Sequence, residues 1–206
     1  MRFRFLVIFL FFLISCENQP VSWEHASQET TAVEIPQVEF RMNEVFFNRK
    51  NSLWQLRSDS TTVSGYIIER FANDQIARHL GVFEGKREGV LTAYYPSGRV
   101  RFIENYKNNK LDGAVKRWSK EAGYQLLAEL SYEAGKLHGV QKMWFPTGEL
   151  HKLMHMKRGK EDGLQQAFRK NGALYANYEA RNGRIFGLKR SNLCYELDNQ
   201  QVVYKD

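Results

Sequence analysis

Apolar positions recur along the chain in a fixed relation to a comb of glycines. Ile76, Val100, Leu126, Leu150 and Leu174 stand thirteen residues before Gly89, Gly113, Gly139, Gly163 and Gly187, and Val82, Tyr106, Tyr132, Met156 and Ala180 stand seven before them. The two offsets differ by an even number, so on an extended chain these side chains share a face. Tyr94, Trp118, Trp144 and Phe168 sit five residues past their glycines. That placement predicts an aromatic stripe crossing a sheet and stabilised by cross-strand pairs. No stretch free of turn residues exceeds about a dozen positions, which argues against helices and for short strands.

With Gly65 included, the comb has spacings of 24, 24, 26, 24 and 24 residues. Such a period marks an array of one supersecondary unit. Two turn positions recur in every unit. Asp74, Gly98, Gly148 and Gly172 lie nine residues after the preceding glycine, with Gly123 one place later in the 26-residue copy. Gly85, Asn109, Gly135, Gly159 and Gly183 lie four residues before the next one. Gly, Asn and Asp tolerate positive φ, so each unit divides into two strands joined as a hairpin. The predicted fold is all-β, an elongated antiparallel meander of stacked hairpins.

The residues that carry this pattern resemble the bacterial variant of the MORN repeat found in YwqK-type antitoxin-like proteins. Tyr94, Tyr95, Pro96, Gly98, Tyr106, Lys110, Asp112 and Gly113 form one copy, and Trp144, Phe145, Pro146, Gly148, Gly159, Lys160, Asp162 and Gly163 another. The resemblance covers residues 65–187. It departs at Lys120-Glu121-Ala122-Gly123, which replaces the Pro-x-Gly turn, and at Ile185-Phe186-Gly187, which lacks an acidic residue before glycine. It implies an elongated antiparallel sheet and fixes no single activity.

The flanks read differently. Residues 1–15 carry Arg2 and Arg4 followed by an apolar run from Phe5 to Ile14, too short to span a bilayer but suited to a secretory leader. Leu13-Ile14-Ser15-Cys16 resembles a lipoprotein processing site, which implies lipidation of Cys16, cleavage before it, and anchoring to the outer side of a cytoplasmic membrane or to an outer membrane. Residues 16–37 are polar and acidic and read as a disordered tether. Residues 38–64 read as a degenerate capping hairpin, residues 65–187 as five repeats, and residues 188–206 as a closing hairpin.

The chain has 206 residues, 30 Lys and Arg against 23 Asp and Glu, and a net charge of +7. Excess cations suit an anionic partner, or merely keep sheet edges soluble. With two cysteines and Cys16 assigned to lipid, Cys194 has no partner for an intramolecular disulfide. His151 and His155, four apart, would be side by side on a helix but about 13 Å apart on a strand, so no zinc site is expected. Glu88, Asp112, His138 and Asp162 precede anchoring glycines, and the acidic ones are expected to bond within their own turn. No nucleophile elbow, phosphate loop or zinc-protease motif occurs. The chain therefore reads as a non-enzyme with no cofactor, anchored to membrane through Cys16. Its expected partner is a protein or an envelope glycan and not nucleic acid; the alternative is peripheral membrane or anionic-glycan binding through a basic sheet face.

Overall fold

The computed structural model describes residues 33–121 and 123–186 with their side chains, and the backbone of 195–198 and 201–204. Four short strands come first: β1 (Glu39–Arg41), β2 (Val45–Asn48), β3 (Leu53–Leu56) and β4 (Gly65–Arg70). The repeats supply β5 (Ile76–Phe83), β6 (Lys86–Tyr94), β7 (Val100–Lys107), β8 (Lys110–Trp118), β9 (Leu126–Glu133), β10 (Lys136–Leu137) and β11 (Gly139–Trp144). They continue with β12 (Leu150–Lys157), β13 (Lys160–Phe168), β14 (Leu174–Arg181) and β15 (Arg184–Phe186). A separate hairpin pairs β16 (Tyr195–Asp198) with β17 (Gln201–Tyr204). Cys16, Gly187 and Cys194 lie outside the described residues.

The fold is all-β, as the turn spacing predicts. From β4 to β15 neighbouring strands pair antiparallel in chain order in one 13-stranded sheet, with β10 and β11 both paired to β9. The exception is β1, which joins at the edge parallel to β4 with Glu39 opposite Tyr66 and Phe40 opposite Ile67. The sheet is therefore mixed.

Two kinds of turn alternate along it. On one edge, Glu84-Gly85, Asn108-Asn109, Ala134-Gly135, Arg158-Gly159 and Asn182-Gly183 each place both residues at positive φ, from 48° to 84°. These are two-residue type I′ turns, whose twist matches that of the flanking strands. On the opposite edge the loops are longer. In Tyr95–Arg99 the Gly98 N–H donates to the Tyr95 carbonyl and the Tyr95 N–H to the Arg99 carbonyl, both at 2.8 Å. Phe71–Gln75, Phe145–Glu149 and Arg169–Ala173 close the same way. The 26-residue copy absorbs its two extra residues here, where the Ser119 N–H reaches the Gln125 carbonyl at 2.8 Å. The type I′ turns are undisturbed.

The anchoring glycines sit in bulges. Leu80 pairs with Leu91 but Val82 pairs with Arg87, so Gly81 alone faces Glu88, Gly89 and Val90. Asn105 faces Asp112 to Ala114 and His155 faces Asp162 to Leu164 in the same way. Gly89, Gly113, Gly139 and Gly163 take φ of 70°, 97°, 79° and 107° there, a conformation that costs a residue with a Cβ about 1–2 kcal/mol. Gly65 answers to a different constraint: a Cβ on it would lie 2.3 Å from the Val38 carbonyl oxygen, which accepts the Tyr66 N–H.

The aromatic stripe differs from expectation. Tyr94, Trp118, Trp144 and Phe168 oppose Val100, Leu126, Leu150 and Leu174, so each ring meets an aliphatic side chain. Their counterparts on the next hairpin are two strands away, about 10 Å, beyond ring contact. Trp118 stacks instead on Tyr124 of the longer loop, centroids 6.1 Å apart.

One face carries the core. Val45 and Val63 pack with Ile67, Leu80, Val82, Leu91 and Tyr106, and the partly buried Phe40, Trp54, Phe102 and Leu111 surround them. The hairpin of β2 and β3 thus covers the first repeats, and the Trp54 N–H fastens it to the Gly85 carbonyl at 2.7 Å. Further along, the positions equivalent to Ile67, Leu91 and Val115 hold Gln141 and Gln165, both buried. Gln141 donates to the carbonyls of Ser131, His138 and Gly139 and accepts the Ser131 N–H, filling the hydrogen-bonding gap that the bulge opens.

Candidate functional site

The type I′ edge is where consecutive hairpins are stitched together and where cations gather. The residue after each turn is Lys86, Lys110, Lys136, Lys160 or Arg184. Type I′ geometry projects this residue at the start of the outgoing strand of each hairpin, so a fixed sequence position becomes a row across the sheet. Hairpins repeat every two strands, which sets the rungs about 10 Å apart. The stems are held in place. The Cβ of Lys110 lies 3.5 Å from where Gly135 would carry its own, and Lys136 and Lys160 cover Gly159 and Gly183 likewise at 3.7 and 3.9 Å. The stems of Lys110, Lys136 and Lys160 thus rest on the next turn while their ammonium groups extend to water.

Main-chain bonds keep the rungs in step. Asn109, Gly135, Gly159 and Gly183 donate their N–H groups to the carbonyls of Arg87, Leu111, Leu137 and Glu161 in the preceding hairpin, at 2.7–3.0 Å. The acidic residues before the anchoring glycines add a second bond, but not within their own turn as expected. Glu88 accepts the Asn108 N–H at 2.8 Å, Asp112 the Ala134 N–H at 2.9 Å and Asp162 the Asn182 N–H at 3.0 Å. Each carboxylate reaches one hairpin onward because the bulge turns it toward the neighbouring tip. These carboxylates are engaged by backbone, and among the described residues Lys110, Lys136, Lys157 and Lys160 have no ion-pair partner. A cleft across three neighbouring tips is lined by Lys136, Lys157, Arg158 and Lys160 together with Asp162 and Asn182.

A second polar cluster lies on the core face. The buried Glu104 carboxylate accepts the Tyr106 hydroxyl and the Arg117 guanidinium, both at 2.8 Å. The Arg87 guanidinium lies over the Tyr106 ring, 4.3 Å from its centroid. Burial, then the hydrogen bond and negative charge of Glu104, push the Tyr106 phenol up to about 12. Tyr178, bonded to Glu161 at 2.9 Å, is likewise pushed up to about 12, chiefly by burial. Both phenols stay protonated at neutral pH and act as hydrogen-bond donors to carboxylates.

His151 and His155 go separate ways on β12. His151 packs on the Phe145 ring, centroids 4.3 Å apart, and its burial lowers its pKa. His155 Nδ1 lies 2.7 Å from the Leu164 carbonyl oxygen across the bulge. Among the described residues no three His, Cys, Asp or Glu side chains gather as a metal site. The anchoring glycines from Gly65 to Gly163 occupy successive hairpins, whereas of the row of cations after the turns the sequence pattern names only Lys110 and Lys160. Aligning the copies at their turn glycines would have revealed it.

Two segments of the chain, residues 87–108 and 137–158, match the family model described as a MORN repeat variant. Each match runs from one type I′ edge to the next, and the two are offset by 50 residues, two periods of the array. No curated protein and no solved structure matches the chain. MORN repeats are generally non-catalytic modules that bind protein or membrane, and a repeat module of that sort fits the array described here.

Proposed function

We propose that this MORN-repeat protein is an envelope lipoprotein, anchored through a lipid on Cys16, whose array is a non-enzymatic docking surface for a protein partner on the outer side of the membrane. The observation that carries the docking role is the incomplete cover of the core face. The packed cluster under β2 and β3 stops at Phe102 and Leu111, while the same face continues through Tyr132, Met143, Met154 and Tyr178, all only half-buried. Aromatic and methionine side chains at that exposure are the residues that protein interfaces favour. The likeness to YwqK-type antitoxins supports a protein partner, though one met outside the cytoplasm.

Affinity capture of the lipidated chain from envelope extract, with mass spectrometry of the retained proteins, tests this. A partner lost on Met154→Glu, with folding preserved, is the expected result, and retention unaffected by that change removes the core face from consideration. In parallel, Cys16→Ser should abolish leader processing and membrane retention; if both persist, Cys16 is not the anchor.

The row of cations favours a second reading, attraction to anionic lipid or anionic glycan. Protein without its lipid would then bind anionic vesicles or glycan in a salt-sensitive way.

A further inference from the structure

We propose that the type I′ edge is a docking site for a linear phosphate polyanion lying across the hairpin tips. This deepens the second reading above, since it takes the cations as anion-binding, and it does not depend on the lipid at Cys16.

Five consecutive hairpins place a cation at the same point: Lys86, Lys110, Lys136, Lys160 and Arg184. Four intervals of about 10 Å make a row about 40 Å long. The row is one rung wide, which suits a polymer chain laid along it. Its charges are available because Glu88, Asp112 and Asp162 are turned to backbone N–H groups of neighbouring tips, and Glu133, opposite Lys136, lies 2.9 Å from His138 Nδ1. They are also pre-positioned, because each stem from Lys110 to Lys160 lies against the next turn glycine at 3.5–3.9 Å. Less side-chain freedom is then lost on binding. The 26-residue copy leaves the row in register because its two extra residues lie in Ser119–Gln125, on the other edge.

The ligand class follows from the rung chemistry. Four of the five rungs are lysine, a compact point charge with three rotatable donors that suits phosphate oxygens whose directions vary along a flexible chain. Between the third and fourth rungs Lys157 and Arg158 bring the local count of cations to four around one cleft, with Asn182 beside them and Asp162 the one acid. That cleft would hold the polymer most tightly.

The test uses the full chain and inorganic polyphosphate of several tens of phosphates, with binding followed over a salt series. Single-stranded polyanions give a slope of log affinity on log salt of about −0.7 per contact, so four or five rungs predict about −3. A slope shallower than about −1 overturns the proposal, and this reading needs no variant. Lys110→Glu, Lys136→Glu and Lys160→Glu together should weaken binding at least about tenfold. The same three charge reversals on the opposite edge, at Lys120, Arg169 and Lys170, should change it less than about twofold, with unaltered thermal midpoints in both proteins. Equal losses from the two edges would mean diffuse charge and no site. Binding to polyglutamate or to anionic vesicles but not to polyphosphate would discard the phosphate polymer and leave the anion-binding reading standing. No binding to any of the three would remove both.

Discussion

Gly81 offers the sharpest test of the bulge geometry, because it separates crowding from backbone conformation. It is buried on β5 opposite the three-residue bulge of β6, and its φ lies outside the left-handed region. A Cβ added there would fall 2.4 Å from the Glu88 carbonyl oxygen and 2.8 Å from Ile35 Cδ1. The isoleucine tip can swing away; the carbonyl belongs to the bulge and cannot shift without disturbing the sheet. Overpacking of this kind costs about 1–3 kcal/mol, against a gain of about 0.4–1 kcal/mol from stiffening the unfolded chain, so Gly81→Ala should destabilise by about 1–2 kcal/mol. Gly98→Ala is the control: φ is +80° and nothing lies within 4 Å of the new methyl. Its left-handed backbone costs about 1–2 kcal/mol before the same unfolded-state gain, leaving a net loss of about 0.5–1 kcal/mol. Urea unfolding with unchanged m values measures both. A Gly81→Ala protein within about 0.5 kcal/mol of the parent would mean that the bulge yields freely, and the account of its rigidity would be wrong.

Three further outcomes are expected. Asp112→Ala leaves the Ala134 N–H without its carboxylate and should cost about 1 kcal/mol, with faster hydrogen exchange at that amide; unchanged exchange would show the bond to be unimportant. Gln141→Leu removes one partner from each of three carbonyls, of which Ser131 keeps the His138 N–H, and from one N–H, and should cost about 1–3 kcal/mol, whereas Gln165→Leu, whose carbonyl oxygen is already unpaired, should cost less; the reverse order, from unfolding midpoints, would contradict the structure. The Tyr106 phenol titrates higher in the folded chain, at about 12, than in the unfolded one near 10. Its contribution is therefore complete below pH 10 and is lost as pH rises toward 12. Tyr106→Phe should flatten part of that alkaline fall in stability, and an identical pH profile in the variant would exclude the linkage.

Much of this architecture is visible in the chain because turns are local. Gly85, Asn109, Gly135, Gly159 and Gly183 mark the tight hairpins by their tolerance of positive φ alone, and the even offsets between apolar positions place the core face. The bulges were not legible, since a 24-residue period is the same whether its strands are regular or locally expanded, and only pairing exposes the extra residues opposite Gly81, Asn105 and His155. The reach of Asp112 and Asp162 to the next hairpin escaped for the same reason: it depends on a neighbour 20 or more residues away. The aromatic positions suggested ring pairing because sequence spacing does not reveal that successive copies are two strands apart. The parallel strand β1 has three residues, Glu39, Phe40 and Arg41, too few for any periodicity to register.

The unequal stitching of the two edges has a practical consequence. At the lysine-bearing tips every turn is tied by main chain to the segment before it, whereas in the loops around Gly98, Gly148 and Gly172 the main chain closes on itself, and the equivalent loop Ser119–Gln125 is two residues longer. A foreign epitope or fluorophore-accepting peptide inserted between Ser97 and Gly98 should therefore be carried without shifting a single strand, while the same graft at Arg158 would cut the seam that holds neighbouring modules together.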